Sequence, residues 1–353
     1  MPDALQLCPN DQAPFFHVCA GHAQALGLLG FRVRTVFFEA RCGAEPSPDV
    51  DYATPREIPG LLGGERPALL VSHRHRAYRV GVRMARRMRI PTHIAVAHEF
   101  GMFARKTRRL RRRLAGRHHA LFAAVSAPVA ADLGTSGIDG PLVLPNVIDR
   151  HALRDTMLER AQARAMLGVP LPAFAIGVVG RLHPKKDPLR ALRVFETYRR
   201  DDPGAWLVFL GDGPLRSRIE QHAGERIVLA GFRADARTLL GAFDLLLGCS
   251  TDREAFGVVV LEAMAAGVPV VVADRPGQRS VVGDCGTYFG TDDELVAALR
   301  GFGACDRTET VERARRRVAA RFSVEALAER YREVLNAPQR GVSVARAPGT
   351  RSP

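Results

Sequence analysis

DREAFGVVVLEAMAAGVPVVVAD, residues 252–274, contains the most apolar window of the chain, Phe256 to Ala273, long enough to raise the question of a membrane span. Glu262, Gly267 and Pro269 interrupt it, so it reads instead as helix, turn and strand. The helix is expected to begin at Phe256 or Gly257 and to stop at Gly267, with Glu254 in the preceding loop. The N–H groups of 256 to 258 would then point outward without helical partners. Glu262 lies in an otherwise apolar helix and must find a partner, because a buried unpaired carboxylate is costly. Ribose hydroxyls would serve, and so would a structural arginine.

A second stretch upstream complements this one. In GVVGRLHPKKDP, residues 177–188, a strand ends at Gly180, where a missing side chain lets a phosphate approach the backbone. Arg181 offers a planar bidentate fork and Lys186 a point charge. Asp187 and Pro188 read as N-cap and first residue of the helix PLRALRVFETYRR. Alone, these are ordinary cations around a turn. Beside a free helix N-terminus and two glutamates eight positions apart, they describe a pocket for a nucleotide diphosphate that carries a sugar.

The rest of the chain supplies a scaffold for such a pocket. Short apolar runs alternate with helical patterns: FRVRTVFFEA, PALLVS, THIAVAH, ALFAAVS and PLVLPN, then FAIGVVG, AWLVFLGDG, RIVLAGF, DLLLGCS and PVVVAD. This is the signature of parallel sheets with helices on both faces, and 353 residues with 46% apolar content support two such cores. The expected class is α/β with two doubly wound domains. Residues 1–150 form the first and 151–322 the second, with a hinge within 146–172. SVEALAERYREVL places Val324, Leu327, Tyr331 and Leu335 at helical spacing, so 323–336 is a terminal helix expected to pack back on the first domain. The tail 337–353 is expected to be disordered. Residues Cys42 to Pro67 read as a long loop. Its Asp49-Val-Asp51 has the D-x-D spacing of a metal site, but a three-residue pattern is common by chance and no metal is expected.

Six scattered cysteines without C-x-x-C spacing indicate neither a disulfide framework nor a zinc site, and the first residues lack a basic and apolar leader. A cytoplasmic protein is expected, with contact to the inner membrane surface at most peripheral. The net charge is +14, and the stretch from His73 to Arg117, with fifteen Lys or Arg and one acid, Glu99, accounts for all of it. In MFARKTRRLRRRLAG, Phe103, Thr107, Leu110 and Leu114 form one helical stripe. Arg105, Lys106, Arg108, Arg109, Arg111, Arg112 and Arg113 cover the other faces. A second row, Arg76, Arg79, Arg83 and Arg86, recurs at helical spacing. A solvated helix face is the plain reading of a charge run. The missing counter-charges favour an anionic partner, namely a membrane surface or an anionic glycan or glycolipid acceptor. Few stacking aromatics and no RNA module speak against nucleic acid.

The E-x7-E pair in its FG-x-V-x-LEAMA setting, the GRL-x-P-x-K segment and the AGF segment at Gly231 resemble retaining GT-B glycosyltransferases of family four, over residues 170 to 335. The resemblance implies two Rossmann-like domains facing across a cleft. It implies transfer of a sugar from a nucleotide-diphosphate sugar to an acceptor hydroxyl with retention of configuration, without metal or cofactor. Arg181 and Lys186 would hold the diphosphate, Glu254 the sugar and Glu262 the ribose. Gly180 and the backbone of Phe256, Gly257 and Val258 would line the donor, Arg233 with its neighbours would face the base, and His98 would touch donor sugar or acceptor, the other reading of His98 being a histidine bonded within the core. Lipopolysaccharide core or another envelope glycan fits the combination of sugar transfer with a basic patch. One departure is CPNDQAPFF after the first strand, where relatives carry adjacent glycines; Asn10 or Asp11 there could meet the acceptor, though a plain turn is the better reading. A dehydrogenase is disfavoured, since Gly211 and Gly213 are followed by Arg216 where its fingerprint needs a third glycine. The alternative from another class is a non-catalytic binder of RNA or anionic membrane built on the same fold.

Overall fold

The computed structural model describes residues 3–12, 14–40, 49–115, 120–302 and 306–336. The chain divides into two compact units, Met1–Ile148 together with Arg321–Pro353, and Asp149–Ala320.

The first unit runs β1 (Asp3–Cys8), α1 (Phe15–Leu28), β2 (Arg32–Phe37), β3 (Val50–Tyr52), α2 (Ile58–Leu61), β4 (Leu69–His73), α3 (Arg74–Met88), β5 (Thr92–Ala97), α4 (Lys106–Leu114), β6 (Leu121–Ala124), α5 (Ala127–Thr135) and β7 (Leu142–Val143). Its seven strands are all parallel, in the order β3-β2-β1-β4-β5-β6-β7. Every residue of β4 and β5 is buried, as expected of strands covered on both faces. The long loop expected from Cys42 to Pro67 holds, in its described part, an edge strand and a short helix. Asp51 sits on that strand, β3, and pairs with Arg34 at 2.6 Å, while Asp49 is exposed.

The second unit continues with α6 (Arg150–Thr156), α7 (Arg160–Leu167), β8 (Ala175–Val179), α8 (Pro188–Tyr198), β9 (Trp206–Leu210), α9 (Arg216–Glu220), β10 (Ile227–Gly231), β11 (Leu245–Gly248), α10 (Val258–Ala266), β12 (Val270–Ala273), α11 (Pro276–Val282), β13 (Thr287–Phe289), α12 (Asp292–Arg300) and α13 (Thr308–Arg321). Its six strands lie parallel in the order β10-β9-β8-β11-β12-β13 around a core that includes Phe195, Leu207, Phe209 and Phe289. Strand β13, only three residues long, carried no recognisable run in the sequence. The terminal helix α14 (Val324–Asn336) returns to the first unit and packs on α1, where the Tyr331 hydroxyl lies 2.6 Å from His22 Nδ1. The tail 337–353 lies outside the described residues.

The division between the units, Ile148 to Asp149, falls within the segment read as a hinge, and the part after it belongs to the second unit. Arg164 in α7 is 1% exposed. It donates to the carbonyls of Ala242, Pro170, Leu171 and Ala173 and pairs with Asp244 at 2.7 Å. A guanidinium with that many acceptors is satisfied despite burial, and it ties α7 into the second unit. In both units the strand order reverses beside the first strand, between β1 and β4 and between β8 and β11. The carboxyl ends of these strands are where doubly wound sheets bind ligands.

Candidate active site

The loops after β8 and β11 meet at the switch point of the second unit. Gly180 adopts φ +132°, a conformation that favours glycine, as the chain leaves β8. A Cβ on Gly211 would lie 1.9 Å from the Gly180 carbonyl oxygen, and one on Gly213 would lie 2.5 Å from that of Leu182. The glycines of the FLGDG segment therefore serve close backbone approach to the loop after β8.

A 3-10 turn, Pro184–Lys186, then aims Lys186 at Glu254, with Nζ 2.5 Å from Oε2. Lys185 Nζ stands 3.9 Å from Oε1, and Ser250 Oγ donates to Oε2 at 3.0 Å. The backbone N–H of Thr251 donates to the Lys185 carbonyl at 2.9 Å, which fastens the two loops to each other. Burial of Glu254 pushes its carboxyl up, but Lys186, Lys185 and the Ser250 hydroxyl outweigh that and hold it below the usual glutamate range. The group is an anion in a nearly closed setting, 6% exposed. Arg181 is exposed on the same loop and makes no ion pair among the described residues.

Helix α10 begins at Val258, one or two residues later than expected, with Gly257 at φ +93° as its N-cap. Leu261 N–H is the first to bond within the helix, to the Gly257 carbonyl at 3.1 Å. The N–H groups without helical acceptors are thus those of 258 to 260 rather than 256 to 258, and no side chain caps them. Phe256 is buried and anchors the loop just before that end. Behind the loop, a Cβ on Gly277 would lie 1.9 Å from the Glu254 carbonyl oxygen, so α11 can approach only because that residue is glycine. Gln278 Nε2 donates to the Gly248 carbonyl at 3.3 Å.

Glu262 has a structural arginine: Arg237 Nε lies 3.0 Å from Oε1. Burial nevertheless raises the Glu262 carboxyl, with Arg237 offsetting only part. Arg233 is engaged by Asp235 in a two-pronged pair at 2.9 and 2.7 Å, and its neighbour Phe232 is 62% exposed at the end of β10. The fold thus brings Lys186 and Glu254 into contact and sets Gly180, Arg181, Phe256 and Gly257 in the two loops of one switch point, with Val258 opening the helix that follows. Arg233 and Glu262 each have a protein partner. Lys185, Ser250, Arg237, Gly277 and Gln278 were not singled out in the sequence. A Ser four residues before Glu254 was visible there, but the roles of Gly277 and Gln278 exist only through packing.

In the first unit, His98 follows β5 at the carboxyl end of the sheet and is partly exposed. Its Nε2 lies 2.8 Å from His73 Nδ1. Burial, reinforced by neighbouring His22 and Arg74, holds both His73 and His98 well below the ordinary imidazole value, so both are neutral. Asp11 is fully buried and accepts from the Tyr52 hydroxyl at 3.0 Å, and Asn10 Oδ1 accepts from the Gln12 N–H at 3.3 Å, which makes this loop a structural turn.

Helix α4 rests on the unit through its arginines. Arg112 donates to the Gly137 carbonyl at 2.7 Å and Arg108 to that of Met102 at 3.1 Å. Arg105, Lys106, Arg111 and Arg113 are exposed, as are Leu110 at 58% and Leu114 at 76%, while Arg109 reaches back to the Ala104 carbonyl at 3.3 Å. Phe103 does not join that stripe. It precedes the helix, is fully buried and packs against Tyr78 and Phe122. Burial, then Arg108 of α4, Arg79 of α3 and Arg111 of α4, lowers His75 to about 4, so cations of both helices act on one site. Arg76 is paired with Glu39, whereas Arg79, Arg83 and Arg86 are exposed. Among the described residues no helix is long and apolar enough to cross a membrane.

Residues 159–317 match the family of glycosyl transferases group 1. The chain is similar to the D-inositol 3-phosphate glycosyltransferase of Saccharomonospora viridis, 33% identical over 202 residues that are 50% of this chain and 47% of that protein. It is also similar to the UDP-Gal:alpha-D-GlcNAc-diphosphoundecaprenol alpha-1,3-galactosyltransferase of Escherichia coli, 23% identical over 79% of this chain and 76% of that one. The chain spans about half the length of the curated relatives it matches first, 47% and 52%. Among solved structures, Anabaena Alr3699/HepE in complex with UDP-glucose superposes with a TM-score of 0.79, at 21% identity over 95% of this chain and 99% of that chain. The fold is GT-B.

Proposed function

We propose that this chain, whose second unit carries a glycosyl transferases group 1 segment, moves a sugar from a nucleotide-diphosphate sugar to a hydroxyl of a glycan or glycolipid acceptor, retaining the anomeric configuration and using no metal. The observation that carries this reading is the Lys186–Glu254 contact at the switch point between β8 and β11, beside an uncapped helix N-terminus. Three N–H groups and the cations Arg181, Lys185 and Lys186 suit a diphosphate that gains charge as it leaves. A charge pair at about 4 Å in an effective dielectric of about 20 is worth roughly 4 kcal/mol, enough for about a thousandfold in rate where it acts mainly on the transition state.

Glu254, held ionised, would orient the sugar and stabilise positive charge at the anomeric carbon. A donor phosphate oxygen would accept the acceptor hydroxyl's proton on the face from which the diphosphate departs, so no protein nucleophile is needed. Glu262 would give its second oxygen to ribose, and Phe232 would offer a ring to the base. His98 would touch the transferring sugar or the acceptor hydroxyl.

The acceptor side is read from the basic surface of α3 and α4. Two of the similar proteins are named for acceptors that carry phosphate, an inositol phosphate and a diphospholipid. An anionic glycolipid at the inner membrane face, such as a lipopolysaccharide core precursor, fits exposed cations around two exposed leucines. The test is thermal-shift screening against UDP, GDP, ADP and their sugar conjugates, followed by transfer to a lipid-linked acceptor with the product anomer read by NMR. A ligand at 100 times its dissociation constant adds about 2.7 kcal/mol. No shift with any nucleotide, or an inverted anomer, would refute the assignment.

A further inference from the structure

A buried hydrogen-bond chain in the first unit decides which nitrogen of His98 faces substrate. It starts at Gln6 in the middle of β1, which is fully buried. Gln6 Nε2 lies 3.0 Å from the Cys19 carbonyl and 3.0 Å from Thr35 Oγ1. A carbonyl can only accept, so that end of the amide is the NH2, and Oε1 is the end that faces His73 Nε2 at 2.9 Å. An amide oxygen can only accept, so His73 carries its proton on Nε2. His73 is fully buried and neutral, and its Nδ1 is therefore a lone pair. That lone pair lies 2.8 Å from His98 Nε2, which must supply the proton.

A neutral His98 that bears its proton on Nε2 has a bare Nδ1. The Asn146 side chain adjoins His98, and its hydrogen bond offsets only part of the burial that keeps the imidazole neutral. Of Gln6, His73 and His98, only His98 has exposed surface, at the carboxyl end of β5 where the sheet presents ligands.

We propose that Gln6 and His73 are positioning residues that lock His98 as its Nε2–H tautomer, so that Nδ1 meets a substrate hydroxyl as a hydrogen-bond acceptor. A lone pair there accepts from a neutral hydroxyl and repels phosphate or carboxylate. The tautomer follows from this unit's own hydrogen bonds; only the identity of the hydroxyl, on donor sugar or acceptor, rests on the transferase reading.

The test uses the full-length chain with 15N-labelled histidine and long-range 1H–15N correlation at neutral pH, with His98→Asn and His73→Asn serving to assign resonances. His98 should show a protonated Nε2 and an unprotonated Nδ1. A protonated Nδ1, or an imidazolium, overturns the proposal. Gln6→Leu removes the acceptor that orients His73. The tautomer signals of His98 should then mix, and kcat for sugar transfer should fall about tenfold, the size of one lost hydrogen bond, while donor KM stays within about twofold. A merely structural role would raise donor KM and lower thermal stability in step with kcat and leave the tautomer unmixed. Should the native chain transfer no sugar, the transferase reading fails, and the NMR result alone decides this one.

Discussion

The two units share a strand order around their switch points, yet they furnish those points with opposite chemistry. The second unit places an ion pair there, Lys186 with Glu254, next to a bare helix end. The first places neutral imidazoles there, His73 and His98, strung on an amide. A doubly wound sheet thus fixes where a ligand is met but leaves open whether it is met by charge or by oriented neutral groups. Among the first unit's many cations on α3 and α4, Arg74 neighbours that histidine chain and favours its neutral imidazoles.

Acid separates the units most sharply. Burial lowers His22 and His93 to about 3 from an ordinary 6.5. Such histidines keep their full contribution above the unfolded value and lose it as pH falls towards the folded one, because only the unfolded chain takes up protons. At about pH 5 each should cost roughly 2 kcal/mol, together about 4 kcal/mol of the first unit's stability. The second unit has no buried histidine among its described residues. Its Glu254, held low, gives up its contribution only as pH falls below the ordinary 4.5, and the raised Glu262 takes up a proton more readily when folded, so neither makes the unit lose stability between pH 7 and about pH 5. Trp206, the chain's single tryptophan, lies in β9 of the second unit. Urea unfolding followed by its fluorescence should change little between pH 7 and about pH 5, while a circular-dichroism transition for the first unit moves to lower urea. Coincident shifts in both signals would break the distinction.

Lys186→Ala should lower kcat/KM by about a hundredfold to a thousandfold, roughly 3 to 4 kcal/mol of transition-state stabilisation, without altering binding to anionic vesicles. Turnover within about threefold of the native value would move the chemistry away from this switch point. Gly277→Ala should cost about 1 to 3 kcal/mol, seen as an earlier Trp206 transition and weaker nucleotide binding, because the added methyl meets the Glu254 carbonyl. In the first unit, Arg111→Ser or Arg113→Ser should each weaken partition onto anionic vesicles by about fivefold, or about 1 kcal/mol, and Leu114→Asp by somewhat more, with kcat on a soluble acceptor unchanged. Unchanged partition would return α4 to the status of a solvated face.

Much of the second unit was legible before the fold. Gly267 ended α10 as read, and Asp187 and Pro188 stood at the start of α8. The strands of that unit announced themselves by apolar runs, except β13, which at three residues is too short to carry a pattern. The errors have physical reasons. Phe103 fits the helical spacing of Leu110 and Leu114, but the chain turns before Lys106, so periodicity alone joined a core residue to a surface stripe. The start of α10 was misplaced because Gly257 takes a left-handed conformation that ends the loop, and spacing does not report φ. Glu262 had two candidate partners of equal standing until Arg237, 25 positions away, came within 3.0 Å.

Sequence alone determined the fold class, the two cores, the cations and carboxylates of the second unit and the placing of all excess charge between His73 and Arg117, because periodicity, turn residues and charge are local properties. Tertiary structure decided which groups meet: Lys186 with Glu254, Arg237 with Glu262, Arg164 beneath the carbonyls of its own unit, and Gln6 through His73 to His98. Those pairings depend on parallel strands bringing distant loops to one edge of a sheet, and on orientations of hydrogen bonds that no spacing along the chain encodes.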